Sequence, residues 1–254
     1  MYRLVWVLLI FLALLSPFSG TATLDMDTLF DTGSLSQRIF LELRLPRILL
    51  AFAAGGTLAL AGLLFQTLFR NALMTPFTLG VSGGAVLGAG ISIKLGLSIA
   101  FGISAVSLFG FIGAFSTVIL LIVLSRYLKR AEQESLLLLG IALSFFYTSA
   151  LMVIFYLSSF TETATIMRFT MGSLSIVGYN NVIIVSVFAT LLLLTLWLKR
   201  FELQLLSISD EQASLKGINT KQLTYLFLVA TSLAIGILVS LTGPIGFIGL
   251  IIPH

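Results

Sequence analysis

The sequence predicts an all-α protein, a polytopic transmembrane helical bundle, and three observations carry that reading. Only 9% of the 254 residues are Asp, Glu, Lys or Arg while 58% are hydrophobic, and the mean hydropathy is +1.13. Such a composition excludes a water-soluble fold. The apolar runs repeatedly reach the roughly 17–25 residues that a helix needs to cross a hydrocarbon core. The charges fall in short bursts between those runs, as bilayer thickness demands. Backbone amides in lipid have to be satisfied within the segment, which leaves helices or a closed barrel. Runs such as 183–198 lack the alternation of barrel strands, so helices are expected.

The elements follow in order. A first apolar stretch at 4–18, with Arg3 before it and Ser19-Gly20 after it, has the outline of a secretory leader. It reads as a first span because many more follow. A polar interval with Asp25, Asp27 and Asp31 leads through Leu43-Arg44-Leu45-Pro46-Arg47 into span two, with Pro46 placed in a first helical turn. Span two ends near Phe69, where Arg70-Asn71 breaks the run ahead of a loop containing Pro76. Span three is the Gly-rich stretch 79–93, ending near Lys94. Spans four (97–124) and five (136–157) flank the burst Arg126, Lys129, Arg130, Glu132 and Glu134. A less hydrophobic interval at 158–181 precedes span six at 182–198. The polar segment 199–222 precedes span seven at 223–241. An eighth apolar segment opens at Gly243-Pro244 and stops at Ile252-Pro253-His254, short for a span, which reads as a chain cut inside it.

Alternating these spans from an internal N-terminus places Arg3, Arg70, Arg126, Lys129, Arg130, Lys199, Arg200, Lys216 and Lys221 on one side. The other side receives Arg38, Arg44, Arg47, Lys94 and Arg168, with Glu42 and Glu162. Nine cations against five make the first side cytoplasmic by the positive-inside rule.

The residues also limit the chemistry. Without Cys there are no disulfides or thiolate sites, and a lone His254 at the chain end is a poor metal ligand set. The net charge of +4 is spread over inter-span loops, so it argues about topology and not about nucleic acid. No Gly-x-x-x-x-Gly-Lys-Ser/Thr loop is present, so any use of ATP needs a partner. The spans lack the paired carboxylates of many ion-coupled carriers, which weighs against that class. Small residues recur at Gly55, Gly56, Ala59 and Gly62 in span two and at Gly80, Gly83, Gly84, Gly88 and Gly90 in span three, a spacing that permits close helix approach. In segment 203–217, Ser209 is placed to cap a helix with Asp210 and Glu211 in its first turn. A short amphipathic helix pair is expected there, docking a soluble partner or lying on the membrane.

Several blocks carry a resemblance to a known family. Leu43-Arg44-Leu45-Pro46-Arg47-Ile48-Leu49, Ala59-Leu60-Ala61-Gly62 with Gln66, Arg70-Asn71 with Pro76, and Leu79-Gly80-Val81-Ser82-Gly83-Gly84-Ala85 resemble the FecCD permeases of bacterial iron-siderophore and cobalamin ABC importers. Met171-Gly172-Ser173-Leu174 and the run from Gly243 to His254 match two further blocks in the expected order. The resemblance implies the type II ABC importer permease fold, a single transmembrane domain over 1–254 of which about seven and a half of the family's ten spans are present. It also implies multi-pass insertion in the bacterial cytoplasmic membrane. Implied partners are two ATP-binding-cassette ATPase subunits, a periplasmic or lipid-anchored substrate-binding protein, a second permease copy or paralogue, and lipid. No catalysis, cofactor or metal site on this chain is implied.

The resemblance assigns Arg44 and Arg47 to binding-protein docking, where guanidinium groups suit carboxylates. Snorkelling anchors at the interface are the plainer reading of the same arginines. Ser209, Asp210, Glu211, Ala213 and Gly217 fall in the ATPase coupling segment within 199–222. Ser209 stands where Gly is common, Lys216 where an apolar residue is usual, and Asn71-Ala72-Leu73 replaces Asn-Pro-Leu. The function implied is ferric siderophore import, with cobalamin or haem as the alternative cargo. An ion-coupled carrier, or a membrane sensor, stands outside that family.

Overall fold

The computed structural model describes residues 11–12, 15–20, 25, 31, 34–100, 103–127 and 133–253. The predicted first span at 4–18 lies for the most part outside them, as do Arg3, Asp27, Lys129, Arg130, Glu132 and His254. The described chain is helical almost throughout: α1 (Leu35–Phe69), α2 (Val81–Lys94), α3 (Ala105–Tyr127), α4 (Gln133–Leu157), α5 (Phe160–Met171), α6 (Asn180–Leu198), α7 (Arg200–Ile208), α8 (Asp210–Leu215), α9 (Thr220–Thr242) and α10 (Ile248–Ile251). A two-residue antiparallel pair, β1 (Ile99–Ala100) with β2 (Ile103–Ser104), lies between α2 and α3. Helices α1, α3, α4, α6 and α9 are long and apolar enough to cross a membrane.

Three boundaries depart from the hydropathy reading. Span four begins at Ala105 and not at 97, because Gly96 in the left-handed region ends α2 and the chain then turns through the β1–β2 pair. Span three is only the 14-residue α2, about 21 Å long at 1.5 Å per residue. Residues 70–80 ahead of it are non-helical, yet Met74, Thr75, Pro76 and Leu79 are buried. Irregular backbone at such depth is tolerated where protein covers it and its polar groups find partners. Here the Met74 N–H donates to the Asn71 carbonyl at 3.1 Å, and the Thr75 N–H to Thr78 Oγ1 at 3.2 Å. The third departure is α5, a helix inside the interval 158–181. Ser159 caps it and Glu162 returns the bond to the Ser159 N–H, a reciprocal capping box.

Span two corrects the placing of Pro46. The helix starts eleven residues earlier, at Leu35, and runs through Pro46 by way of a π-helical stretch at Ile39–Arg44. A helix-interior proline removes one N–H bond and crowds the carbonyl four residues back, at a cost of about 3 kcal/mol. The wider turn relieves the crowding, and the released carbonyls gain outside donors. The Gly178 N–H reaches the Glu42 carbonyl at 2.8 Å, and the Tyr179 hydroxyl reaches the Leu41 carbonyl at 2.8 Å.

The chain forms two compact units, Met1–Ala54 with Leu174–Ser186, and Gly55–Ser173 with Val187–His254. In the larger unit α2 is the centre, packed on α3, α4, α5 and α9. Glycines set the α2–α3 contact. A β-carbon at Gly84 would collide with Thr117 and the Gly113 carbonyl, and one at Gly88 with the Phe109 carbonyl. Gly55 and Gly56 depart from the close-packing expectation, since a β-carbon there meets nothing within 4 Å. Where α3 faces α4, the Thr117 and Tyr147 hydroxyls are hydrogen bonded at 2.9 Å in the interior. Phe227, Leu228 and Ile235 bury α9, whereas α4 leaves Phe145, Met152 and Tyr156 exposed, a surface suited to acyl chains.

Candidate functional site

The polar segment 199–222 folds as the expected pair of short helices. In α7 the apolar spacing buries Leu203 and Leu206, while Phe201 and Ile208 stay exposed. Arg200 lies over the Trp197 and Phe201 rings, 5.6 and 4.8 Å from their centroids, at the junction of α6 and α7. Lys199 Nζ bonds Glu202 Oε1 at 2.8 Å, and this bond is the main reason the Glu202 carboxyl lies below the usual carboxylate range. Ser209 is extended and separates the helices, its Oγ accepting from the Gln212 N–H at 3.0 Å. Asp210 and Glu211 occupy the first turn of α8, where carboxylates favour the helix dipole.

Ala213 is the fully buried residue of α8 and its carbonyl closes the helix, accepting from the Lys216 and Ile218 N–H groups. Gly217, at φ 78°, supplies the left-handed turn that ends α8. Asn219 then caps α9 through the Gln222 N–H. Leu215, 87% exposed, stands beside the exposed Glu211, Gln212, Ser214 and Lys216, so α8 offers a polar face with one apolar knob. Behind it lies an open cleft of about 340 Å³ lined by residues that include Lys199, Glu202, Gly217 and Asn219.

The structure gives a role to Arg70, which sequence reasoning had taken as a boundary charge and as part of the Arg70-Asn71 motif block, without assigning it to the site. Its Nε and Nη2 donate to the Leu206 carbonyl at 3.2 and 2.7 Å, and Nη2 also meets Asp210 Oδ1 at 2.5 Å. One guanidinium therefore spans the break between α7 and α8 from the end of α1. Its backbone sits at φ 47°, in the left-handed region that favours glycine. Its sequence signals are its place in the Arg70-Asn71 block and an Arg at the position after a helix where Gly is usual.

Arg44 and Arg47 lie three residues apart on one face of α1. Arg44 Nη1 donates to the Pro17 carbonyl at 2.8 Å, and Arg47 Nε to the Ile176 carbonyl at 3.3 Å. Together with Ser16, Ser19, Gly20, Ile39, Leu43 and Ile48 they line a cavity of about 330 Å³. Arg47 thus joins Gly178 and Tyr179 in fastening the segment 174–179 over the Pro46 turn.

The ion pairs respect the sides derived from charge counting. Arg70 pairs with Asp210 and Lys199 with Glu202, all on the side read as cytoplasmic. Lys94 Nζ pairs with Glu162 Oε2 at 3.1 Å, both on the other side. Two quoted motif blocks also meet in space. The Ser173 N–H donates to the Thr242 carbonyl at 2.6 Å, and a β-carbon at Gly172 would strike the Pro244 carbonyl. Likewise Gln66 Nε2 reaches the Leu250 carbonyl at 3.2 Å, and Gly62 abuts Gly249. No cluster of three His, Asp or Glu side chains able to hold a metal ion occurs among the described residues.

Membrane-length apolar helices with polar segments at their ends define a multi-pass α-helical membrane protein. The chain belongs to the FecCD transport family, whose model matches residues 8–254. It is 37% identical over 216 residues to a Helicobacter pylori protein named "Probable iron chelatin transport system permease protein", covering 85% of this chain. The chain spans 64% of that relative's length. It is 34% identical over 252 residues to the hemin transport system permease protein HmuU of Yersinia pestis, covering 98% of this chain and 75% of the relative. A solved structure described as "An inward-facing conformation of a putative metal-chelate type ABC transporter" superposes with a TM-score of 0.85 at 27% identity, covering 98% of this chain and 77% of that one.

Proposed function

We propose that this chain is the permease subunit of an ATP-binding-cassette importer of ferric siderophore in the bacterial cytoplasmic membrane. It is a passive gate with no catalysis of its own. The observation that carries the reading is the capped helix pair α7–α8, which holds Glu211, Gln212, Ser214 and Leu215 exposed directly ahead of the spanning helix α9. Such a rigid, partly apolar projection suits a soluble ATPase subunit better than a flat lie on lipid, because the exposed face of α8 is mostly polar. At the other end of α1, Arg44 and Arg47 are the residues offered to acidic groups of a periplasmic or lipid-anchored binding protein. A second permease copy or paralogue completes the pathway. Iron chelate is favoured as cargo by the Helicobacter relative.

The second reading takes haem or cobalamin in place of siderophore, and the Yersinia relative favours haem. Reconstitution in vesicles with the ATPase and binding protein, supplied in turn with ferric siderophore, hemin and cobalamin, separates the cargoes. Gly217→Pro tests the coupling segment. Proline fixes φ near −65° and cannot adopt the 78° of Gly217. Uptake is expected to be abolished with membrane insertion intact; retained uptake counts against the assignment.

A further inference from the structure

We infer that Arg70 is a positioning residue that ties helix α1 to the pair α7–α8, so that a displacement of α8 is passed to α1. The inference rests on the reading of α7–α8 as the ATPase contact. Three observations lead to it. The first is backbone geometry. The Asn71 N–H bonds the Gln66 carbonyl at 3.2 Å and the Arg70 N–H bonds the Thr67 carbonyl at 3.4 Å, the pattern that ends a helix in a left-handed residue. That residue is usually Gly, and here it is Arg at φ 47°. A non-glycine residue held in this region points to a side chain that is needed there.

The second observation is what the guanidinium holds. Leu206 belongs to the last turn of α7, where carbonyls have no partner within the helix and the dipole is negative. Asp210 opens α8. Binding both, Arg70 fixes the angle at Ser209 between the two helices and fastens that corner to α1. A lone exposed ion pair would do little. Arg70 differs because two of its three bonds go to a backbone carbonyl, which has no rotamer to change.

The third observation is that α1 has a second grip one turn earlier. Gln66 donates to the Leu250 carbonyl in α10, so the end of α1 holds α10 as well as the α7–α8 corner. Motion delivered at α8 therefore has a continuous polar route into the spanning bundle, while Glu211, Gln212 and Leu215 remain available to a partner.

The test separates coupling from folding because glycine is the residue this backbone prefers. In vesicles carrying the assembled importer with its ATPase and binding protein, uptake of ferric siderophore and ATP hydrolysis are measured together. Arg70→Gly trades the lost bonds against relief of the left-handed backbone, so it should shift thermal unfolding little, yet lower uptake per ATP hydrolysed by at least about tenfold, the scale of losing hydrogen bonds to a charged group. Asp210→Asn, which leaves the Leu206 contacts, should lower the ratio less. Exchanging the charges, Arg70→Asp with Asp210→Arg, should recover part of it. If Arg70→Gly keeps the wild-type ratio, the inference is overturned. Should Arg70→Gly fail to fold, Asp210→Asn decides, and a wild-type ratio in it has the same consequence. If wild type itself takes up iron without the ATPase, the proposed function fails instead.

Discussion

Replacing Gly84 with Ala adds one methyl group at the place where α2 and α3 lie closest. A β-carbon there overlaps both Thr117 and the Gly113 carbonyl, and the latter is backbone that cannot rotate away. The helices have to part, and overpacking of this kind costs about 1–3 kcal/mol. Gly56→Ala is the same chemical change at an exposed position of α1, where a β-carbon meets nothing within 4 Å. There the substitution gains about 0.5–1 kcal/mol from reduced backbone freedom. The two variants should thus differ by about 1.5–4 kcal/mol. At about 2–4 °C per kcal/mol for a chain of this size, the midpoints separate by roughly 3–16 °C. Thermal unfolding in detergent reads this directly, with Gly84→Ala below wild type and Gly56→Ala at or above it. Gly113→Ala strikes the same contact from the other side, so combining it with Gly84→Ala should cost less than the two losses added. Equal midpoints for Gly84→Ala and Gly56→Ala would refute the claim that glycine backbones set the α2–α3 distance.

Further outcomes follow from single contacts. The Ser159 N–H, and after it Lys94, hold the Glu162 carboxyl below the usual range. Because its folded value is depressed, the start of α5 keeps this stabilisation above the ordinary carboxylate pKa of about 4.3 and loses it as pH falls through the lower folded value. Amide exchange at the start of α5 should quicken on acidification in wild type but show no such step in Glu162→Gln. Tyr147→Phe and Thr117→Val each remove the interior hydroxyl pair, and a double-mutant cycle should return a coupling of about 0.5–1.5 kcal/mol; zero coupling would mean the pair is incidental. Tyr179→Phe frees the Leu41 carbonyl beside Pro46 and should cost about 1 kcal/mol, while Pro46→Ala should make that loss smaller, because alanine restores an N–H to the helix.

The long helices were legible because lipid imposes one rule, an unbroken apolar run of sufficient length, and α4, α6 and α9 start within about three residues of where hydropathy placed them. Legibility failed where a boundary depends on residues far away. The helix runs back through Pro46 only because Gly178 and Tyr179, more than a hundred residues on, satisfy the carbonyls the proline releases. Helix α5 was too short and polar for a hydropathy window, although the Ser159-x-x-Glu162 pattern announced its cap. Of the recurring small residues, Gly84 and Gly88 face a neighbour and Gly55 and Gly56 do not, and a stripe of glycines carries no mark of which face is covered. In the candidate site, Ser209 and Asp210 were readable from local capping chemistry, whereas Gly217 entered only through the family resemblance. Arg70 was not readable, since its role is defined by a carbonyl and a carboxylate on another element.

Both ends of α1 break a rule of helix construction, and both breaks are repaired from outside the helix. At one end a proline sits within the helix and its released carbonyls are taken by Gly178 and Tyr179, with Arg47 holding the same segment at Ile176. At the other an arginine stands in a glycine position and is held by Leu206 and Asp210. A helix meant only to fill a bundle needs neither feature; alanine for the proline and glycine for the arginine would be more stable locally. Each irregularity instead makes a terminus of α1 dependent on contacts with a segment far along the chain. The expected consequence is that changes at either end alter transport before they alter folding, and the pair Arg70→Gly and Pro46→Ala tests it. Both should leave the unfolding midpoint nearly level while lowering uptake. A variant that gained stability and kept full uptake at both ends would reduce the two irregularities to accidents of sequence.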